Sequence, residues 1–236
     1  MKSRLVPGLI VSLASAAGLA ALLLSYATNG AHPDSLGAAL LERSLSDTRS
    51  VNVVTGVLLD FRAFDTIGEA TVIFASVAAV AAAFAGSGVP HSDSRLGLLV
   101  RRSVGYLAPL FLLFPLYIVA HGHLSPGGGF QGGVSLAVLL ILLTVAFGTR
   151  NVFSAVRSRT LHVTEAVCAG AFVAVGIVGM TQGVAFLTNL AAGFPSGEPG
   201  SLLSAGMIPL LNLFIGLKVA SGLGSIFFDL FSSRSK

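Results

Sequence analysis

The sequence predicts an all-α polytopic membrane protein, and three observations carry that prediction: its composition, its apolar runs and the lopsided placement of its basic residues. Of 236 residues, 54% are apolar and only 10% are charged, and the mean hydropathy of +0.88 lies far above that of a soluble domain. A membrane-crossing helix needs about 20 mostly apolar residues. Runs of that kind lie near 5–26, 67–87, 104–120, 131–148, 165–188 and 205–228, so about six transmembrane helices are expected.

The first run follows Lys2 and Arg4, which fits either a signal peptide or a retained start helix. The stretch from Leu5 to Tyr26 is longer than a usual signal core, which favours a retained helix. Orientation follows from the cost of translocating basic residues, which leaves them on the cytoplasmic side. Lys2, Arg4, Arg95, Arg101, Arg102, Arg150, Arg157, Arg159, Arg234 and Lys236 share one side, against Arg43, Arg49 and Arg62 on the other. Both termini are therefore expected in the cytoplasm, and the chain in the cell inner (plasma) membrane. The pI near 9.7 reflects this bias and gives no reason to expect a nucleic-acid partner. Cys168, the only cysteine, falls in the fifth run, which rules out an intrachain disulfide and suits a small core residue.

A long outer segment separates the first two runs, and the stretch GSGVPHSDS at 86–94 follows the second. A module boundary is expected there, with a two-helix unit over residues 1–90 and a four-helix unit over 91–236. No repeat of fixed period is visible.

Between the third and fourth runs lies HGHLSPGGGFQGG, residues 121–133. The chain must reverse here within few residues, and glycine tolerates the positive φ that reversals use. A turn alone takes two or three glycines, whereas Gly127, Gly128, Gly129, Gly132 and Gly133 follow Pro126 within seven positions. Close packing of this backbone against another helix is an equal alternative. A phosphate cradle is excluded, because no Lys-Ser or Lys-Thr follows Gly133. His121 and His123 are spaced i, i+2, but two imidazoles without a nearby cysteine or carboxylate make a poor zinc site, so no metal is expected.

The stretch VNVVTGVLLDFRAFDTIGEATVIF, residues 51–74, brings Asp60, Arg62, Asp65 and Glu69 to the start of an apolar run. Asp65 and Glu69, at i and i+4, share a helix face. They suit a helix start, with Thr66 and Glu69 spaced as a capping box, and Glu69, one turn into the membrane, also suits a path for cations or protons. Lys218 lies near the middle of the sixth run, where insertion of a lysine costs about 2.5–3.5 kcal/mol. That depth counts against snorkelling, and the residue reads as a buried ion pair or a proton-path residue. Glu165 and Asp229, toward the inner ends of the fifth and sixth runs, are candidate relay groups that fit interfacial anchors better. Thr144, Thr181, Gln182, Thr188 and Asn212 can bond across helices, and Gly179 and Gly183 form one GxxxG pair. No nucleophilic triad, HExxH or nucleotide fingerprint is present, so neither an enzyme site nor a cofactor is expected.

HGHLSPGGGFQGGV resembles the signature of the MnhB or MrpB family, the B-type component of multisubunit Na⁺/H⁺ antiporters. VNVVTGVLLDFRAFDTIGEATV resembles a segment, typically NVILVDFRGFDTxGE, found in the E-type component of membrane-bound hydrogenases and near the C-terminal end of the large A-type component of those antiporters. Ala63 stands where that segment has glycine. The resemblance spans about residues 51–230 and implies a B-type unit fused to a fragment that other members carry on another chain. It implies an accessory subunit of a multisubunit complex in which Na⁺ and H⁺ move, with Asp65 and Glu69 in the cation path. His121, His123 and the glycines would be structural or line that path. A structural membrane subunit of a hydrogenase-like or complex I-related oxidoreductase is the alternative. Lys218 and Glu165 rest on depth alone.

Overall fold

A computed structural model describes residues 13–25 except 15, 19 and 22, then 33–84, 97–148, 152, 156, 158–190 and 193–232. Most of the first apolar run, the GSGVPHSDS stretch, the Asp229 side chain and Lys2, Arg4, Arg95, Arg150, Arg157, Arg234 and Lys236 lie outside the described residues. Residues 43–236 form one compact unit, and residues 1–42 cluster by themselves.

The described elements are all helical: α1 (Pro33–Thr48), α2 (Val53–Gly56), a π turn (Val57–Phe61), α3 (Ala63–Phe84), α4 (Leu98–Ala120), α5 (Gly129–Phe147), α6 (Ser158–Thr181) and α7 (Ile208–Ser232). The protein is an all-α multi-pass membrane protein. Among the described residues, five helices carry windows long and apolar enough to cross a bilayer: Ala63–Val80, Leu98–Ala120, Gly129–Phe147, Arg159–Thr181 and Ile208–Phe228.

The second to fourth of the expected runs begin two to six residues later than the corresponding helices, because polar first turns such as Asp65 and Arg101 continue the helix before hydropathy rises. The fifth run was expected to reach 188, but α6 ends at Thr181. Gly183 adopts φ +78° in the turn beyond it, and Thr188 belongs to the following loop. Gly179 and Gly183 are therefore not a helix-packing pair. Apolar Val184, Ala185, Phe186 and Leu187 continue the hydropathy past the helix end, and Leu187 is buried in the core with φ +60°.

α7 is the central helix. It packs against α3, α4, α5 and α6, and 56% of its membrane window is buried, against 17% for α3 and for α4. The core gathers Leu211, Ile215 and Val219 of α7 with Leu59, Ala63, Phe172, Leu187, Met207 and Ile208. Pro109 and Pro115 lie inside α4, a placement that membrane helices tolerate when neighbouring groups satisfy the freed backbone.

α3 is entered through the π turn, where Arg62 N donates to Val57 O at 2.8 Å. Thr66 Oγ1 donates to Leu58 O at 2.8 Å and so satisfies a carbonyl at the join. Thr66 is thus the fourth residue of a helix already under way, and the expected capping box between Thr66 and Glu69 is not formed. The cap upstream is Asn52, whose side chain accepts from Thr55 N at the start of α2.

Candidate functional site

The two motifs that stand out in the sequence meet at one end of the bundle. Asn52 N donates to His123 O at 3.0 Å. Asn52 Nδ2 donates to Gly122 O at 2.8 Å and to Ser125 O at 2.9 Å. Ser50 Oγ donates to His123 O at 3.0 Å and Thr55 Oγ1 to Gly122 O at 2.8 Å. Three side chains of the 50–55 segment therefore satisfy the carbonyls of a turn that, confined between α4 and α5, cannot pair them within itself.

The glycines have separate duties. Gly127 and Gly128 adopt φ +150° and +137°, which L side chains rarely allow, so these two make the reversal. Gly129, Gly132 and Gly133 lie in α5 and make close contacts. A Cβ on Gly129 would meet Asn212 O at 2.5 Å, and one on Gly133 would meet Gly216 O at 2.7 Å, both on α7. On Gly132 it would meet Val119 Cγ2 at 2.3 Å and Pro115 O at 3.0 Å, on α4. Both readings of the glycine-rich stretch thus hold, in successive halves of it. Asn212 of α7 locks the start of α5 by accepting from Gly129 N at 3.0 Å. Pro126 is exposed at the tip.

The two histidines engage different partners. His121 stacks on Tyr117 with ring centroids 4.1 Å apart, and its Nδ1 lies 3.2 Å from Tyr117 O. His123 is fully buried, with Nε2 3.3 Å from Ser201 O and Nδ1 without a hydrogen-bond partner. Burial holds the His123 imidazole below its usual pKa. Among the described residues, no group of three or more His, Cys, Asp or Glu is placed to hold a metal ion.

Asp65 pairs with Arg62 at 2.6 Å on an exposed surface. Glu69 is exposed on α3 and borders a small cavity of about 120 Å³ shared with Thr55, Gly127, Gly128, Gln131 and Asn212. The fold thus brings Glu69 to the glycine turn, while Asp65 is paired with Arg62 and the His121 ring is stacked on Tyr117.

A second centre lies deeper in the membrane. Lys218 is ten residues from either end of the α7 window. Its Nζ lies 3.8 Å from Glu165 Oε1 of α6, with both side chains almost wholly buried. The same Nζ donates to Ala70 O of α3 at 2.5 Å. Glu165 is thus no interfacial anchor. It sits two turns into α6 on the side facing α7, where Gly222 leaves room: a Cβ there would stand 2.9 Å from Glu165 Oε1. Beside the pair, a cavity of about 360 Å³ is lined by Thr66, Ala70, Thr71, Cys168, Phe172 and Lys218.

Asn189, which the sequence did not single out, and Asp60 of the 51–74 stretch hold a further set of buried contacts. Asn189 is fully buried. Its Nδ2 donates to Thr48 O at 3.1 Å and Ala205 O at 2.9 Å, and its Oδ1 accepts from Met207 N at 2.8 Å. It pins the 186–207 loop to the end of α1 and the start of α7. Asp60, on the π turn, accepts from Asn189 N at 3.4 Å. It borders a cavity of about 560 Å³ with Arg43, Asp47 and Thr188. Burial, with the Asp47 charge as a lesser contribution, raises its pKa to about 6.

Residues 99–225, more than half of the chain, match the family described as a domain related to the MnhB subunit of Na⁺/H⁺ antiporter. Residues 3–87 match a second family, that of the MBH E-type subunit. An uncharacterized protein of Methanocaldococcus jannaschii is 33% identical over 204 residues, which cover 75% of this chain and 76% of that protein. A probable A/B-type subunit of a K⁺/H⁺ antiporter from Rhizobium meliloti is 28% identical over 233 residues, covering 86% of this chain but only 22% of that much longer protein. Among solved structures, a chain of the membrane-bound sulfane sulfur reductase, an archaeal respiratory membrane complex, superposes with a TM-score of 0.72 at 30% identity. That match covers 92% of this chain and 97% of the other. With its bundle, its glycine turn and more than half its length matched, the chain belongs to the MnhB-related family of membrane subunits.

Proposed function

We propose that the chain is an accessory membrane subunit of a multisubunit monovalent-cation/proton antiporter complex, contributing to the ion path and to assembly, with Na⁺ and H⁺ as the transported ions. The observation that carries this reading is the docking of the 50–55 segment onto the glycine turn, with Glu69 bordering the cavity beside it. An E-type segment and a B-type bundle, joined between residues 87 and 99, thereby form one continuous surface. Within it, Glu69 is a carboxylate on a membrane-spanning helix, and such groups line ion paths because hydrocarbon penalises them. His123 and the glycines shape the wall of that surface. The protein acts as a transporter component.

The test is Glu69→Gln in the native complex. We expect cation-dependent proton exchange to fall at least tenfold, with Na⁺ and with K⁺ tried in turn, while co-purification of the partner subunits is unchanged. Normal exchange by the assembled variant would remove Glu69 from the path.

One observation favours a second reading. The chain matches its counterpart in the sulfane sulfur reductase nearly end to end, whereas it spans about a fifth of the Rhizobium relative. A membrane subunit of a respiratory redox complex, itself without a redox centre, accounts for that. Mild-detergent purification from native membranes with mass spectrometry separates the two: large antiporter subunits alone support exchange, and cluster-bearing partners support the redox complex.

A further inference from the structure

The buried pair in the membrane is built as an open contact. Charge-assisted hydrogen bonds close to about 2.7–2.9 Å, yet Lys218 Nζ stands 3.8 Å from Glu165 Oε1, and that oxygen is buried without a hydrogen-bond partner. The ammonium donates across to Ala70 O on α3 instead. A lysine held only as a structural counter-charge would be satisfied by closing on its carboxylate, because a buried acceptor left unmade is costly. Lys218 is divided between two helices, and the cavity beside it gives its head room to move.

We propose that Lys218 is a mobile proton carrier, swinging between Glu165 on α6 and the cavity at α3, and that His162 supplies Glu165 from the inner end of α6. This deepens the antiporter reading and rests on it. His162 lies three residues before Glu165, on the same face of the helix. Gly222 is the notch that admits the carboxylate. The ionisable groups of the elements around Lys218 are few. They are Asp65 and Glu69 on α3, both exposed, Arg101, Arg102, Tyr106 and Tyr117 on α4, Arg159, His162, Glu165 and Cys168 on α6, and Asp229 further along α7, while α5 carries none.

The transfer balances as a relay of one proton. The N–H bond of a His162 imidazolium breaks as the O–H of Glu165 forms. That O–H then breaks as the lone pair of an uncharged Lys218 amine takes the proton. The resulting ammonium swings and releases the proton to water in the cavity at α3.

The deciding experiment uses the whole complex reconstituted in liposomes, with cation-driven pH change followed by an entrapped dye. Lys218→Arg keeps the charge and the ion pair, but a guanidinium does not give up its proton. The relay therefore predicts at least a tenfold loss of proton movement in an assembled Lys218→Arg complex. Near-normal movement would overturn it and leave a structural pair. Should arginine prevent assembly, His162→Ala decides: the relay predicts a several-fold loss that imidazole added on the inner side restores, and no loss, or loss without rescue, overturns it. A wild-type complex that moves no protons in response to either cation overturns the antiporter reading itself, and the relay with it.

Discussion

Asp60 and His123 lie at the same end of the molecule and respond to pH in opposite directions. The native pKa of Asp60, about 6, is above its ordinary 3.8, so the folded chain holds a proton that the unfolded chain has released. The folded state therefore loses stability as pH rises from about 4 to about 6. The native pKa of His123 is depressed below 6.5, so its contribution is complete above 6.5 and is lost as pH falls through the native value. Asp60→Asn keeps an acceptor for Asn189 N. It should raise stability at pH 7 by about 1 kcal/mol, a figure reduced for partial solvent screening, and flatten the profile between pH 4 and 6. Denaturation of the detergent-solubilised chain from pH 4 to 8 checks this. A variant with the same slope as the wild type would place the titration elsewhere. These residues also mark where reading the sequence stops. The depth of Lys218 could be counted along one helix, but Glu165 is 53 positions away and their adjacency depends on how α6 and α7 face one another. The i, i+2 spacing of His121 and His123 says nothing of ring direction, and one turned to Tyr117 while the other turned inward. Asn189 gave no signal, because a single amide in a mixed loop looks alike whether it is solvated or makes three buried bonds.

Among the elements, α5 shows how glycine sets helix spacing in a membrane, where no hydrophobic drive holds helices together and contact must come from close backbone approach. Its glycines face two neighbours, Gly129 and Gly133 toward α7 and Gly132 toward α4. Gly132→Ala would place a methyl 2.3 Å from Val119 Cγ2 and 3.0 Å from the Pro115 carbonyl. Val119 is itself buried, so it has little room to yield. We expect a loss of about 1–3 kcal/mol, the usual cost of overpacking, read as a lower thermal midpoint. Gly170→Ala in α6 is the control. Its Cβ meets nothing within 4 Å, and alanine is the better helix former by up to about 1 kcal/mol. Equal effects at the two positions would mean that the α4–α5 contact does not limit stability. Helix existence was legible because apolar length is a local property, and so was the dual demand on the glycine stretch. The end of α6 was not, since Leu187 extends the hydropathy while leaving the helix. Nor was α1, whose residues 33–48 lie in what the hydropathy showed only as a long outer segment.

At the scale of the whole molecule, the question is which exposed surfaces face lipid and which face protein. Apolar exposure decides nothing in a bilayer: Tyr106, Leu99 and Leu113 on α4 are well exposed, and lipid satisfies them as readily as a partner would. Glu69 does decide. It is exposed on a helix whose membrane window is only 17% buried, and it stands about one and a half turns past Ala63, where a carboxylate facing hydrocarbon costs on the order of 1 kcal/mol or more. A neighbouring protein removes that cost in the complex, so the residue should be a liability in the isolated chain and an asset in the assembly. Glu69→Leu should therefore raise the thermal midpoint of the isolated chain in lipid nanodiscs by a few degrees, while abolishing exchange in the complex. Paired measurements on the two preparations check both halves. An unchanged midpoint in nanodiscs would show that the cavity at the glycine turn already shelters the carboxylate, and the partner surface would then have to be sought on another face of the bundle.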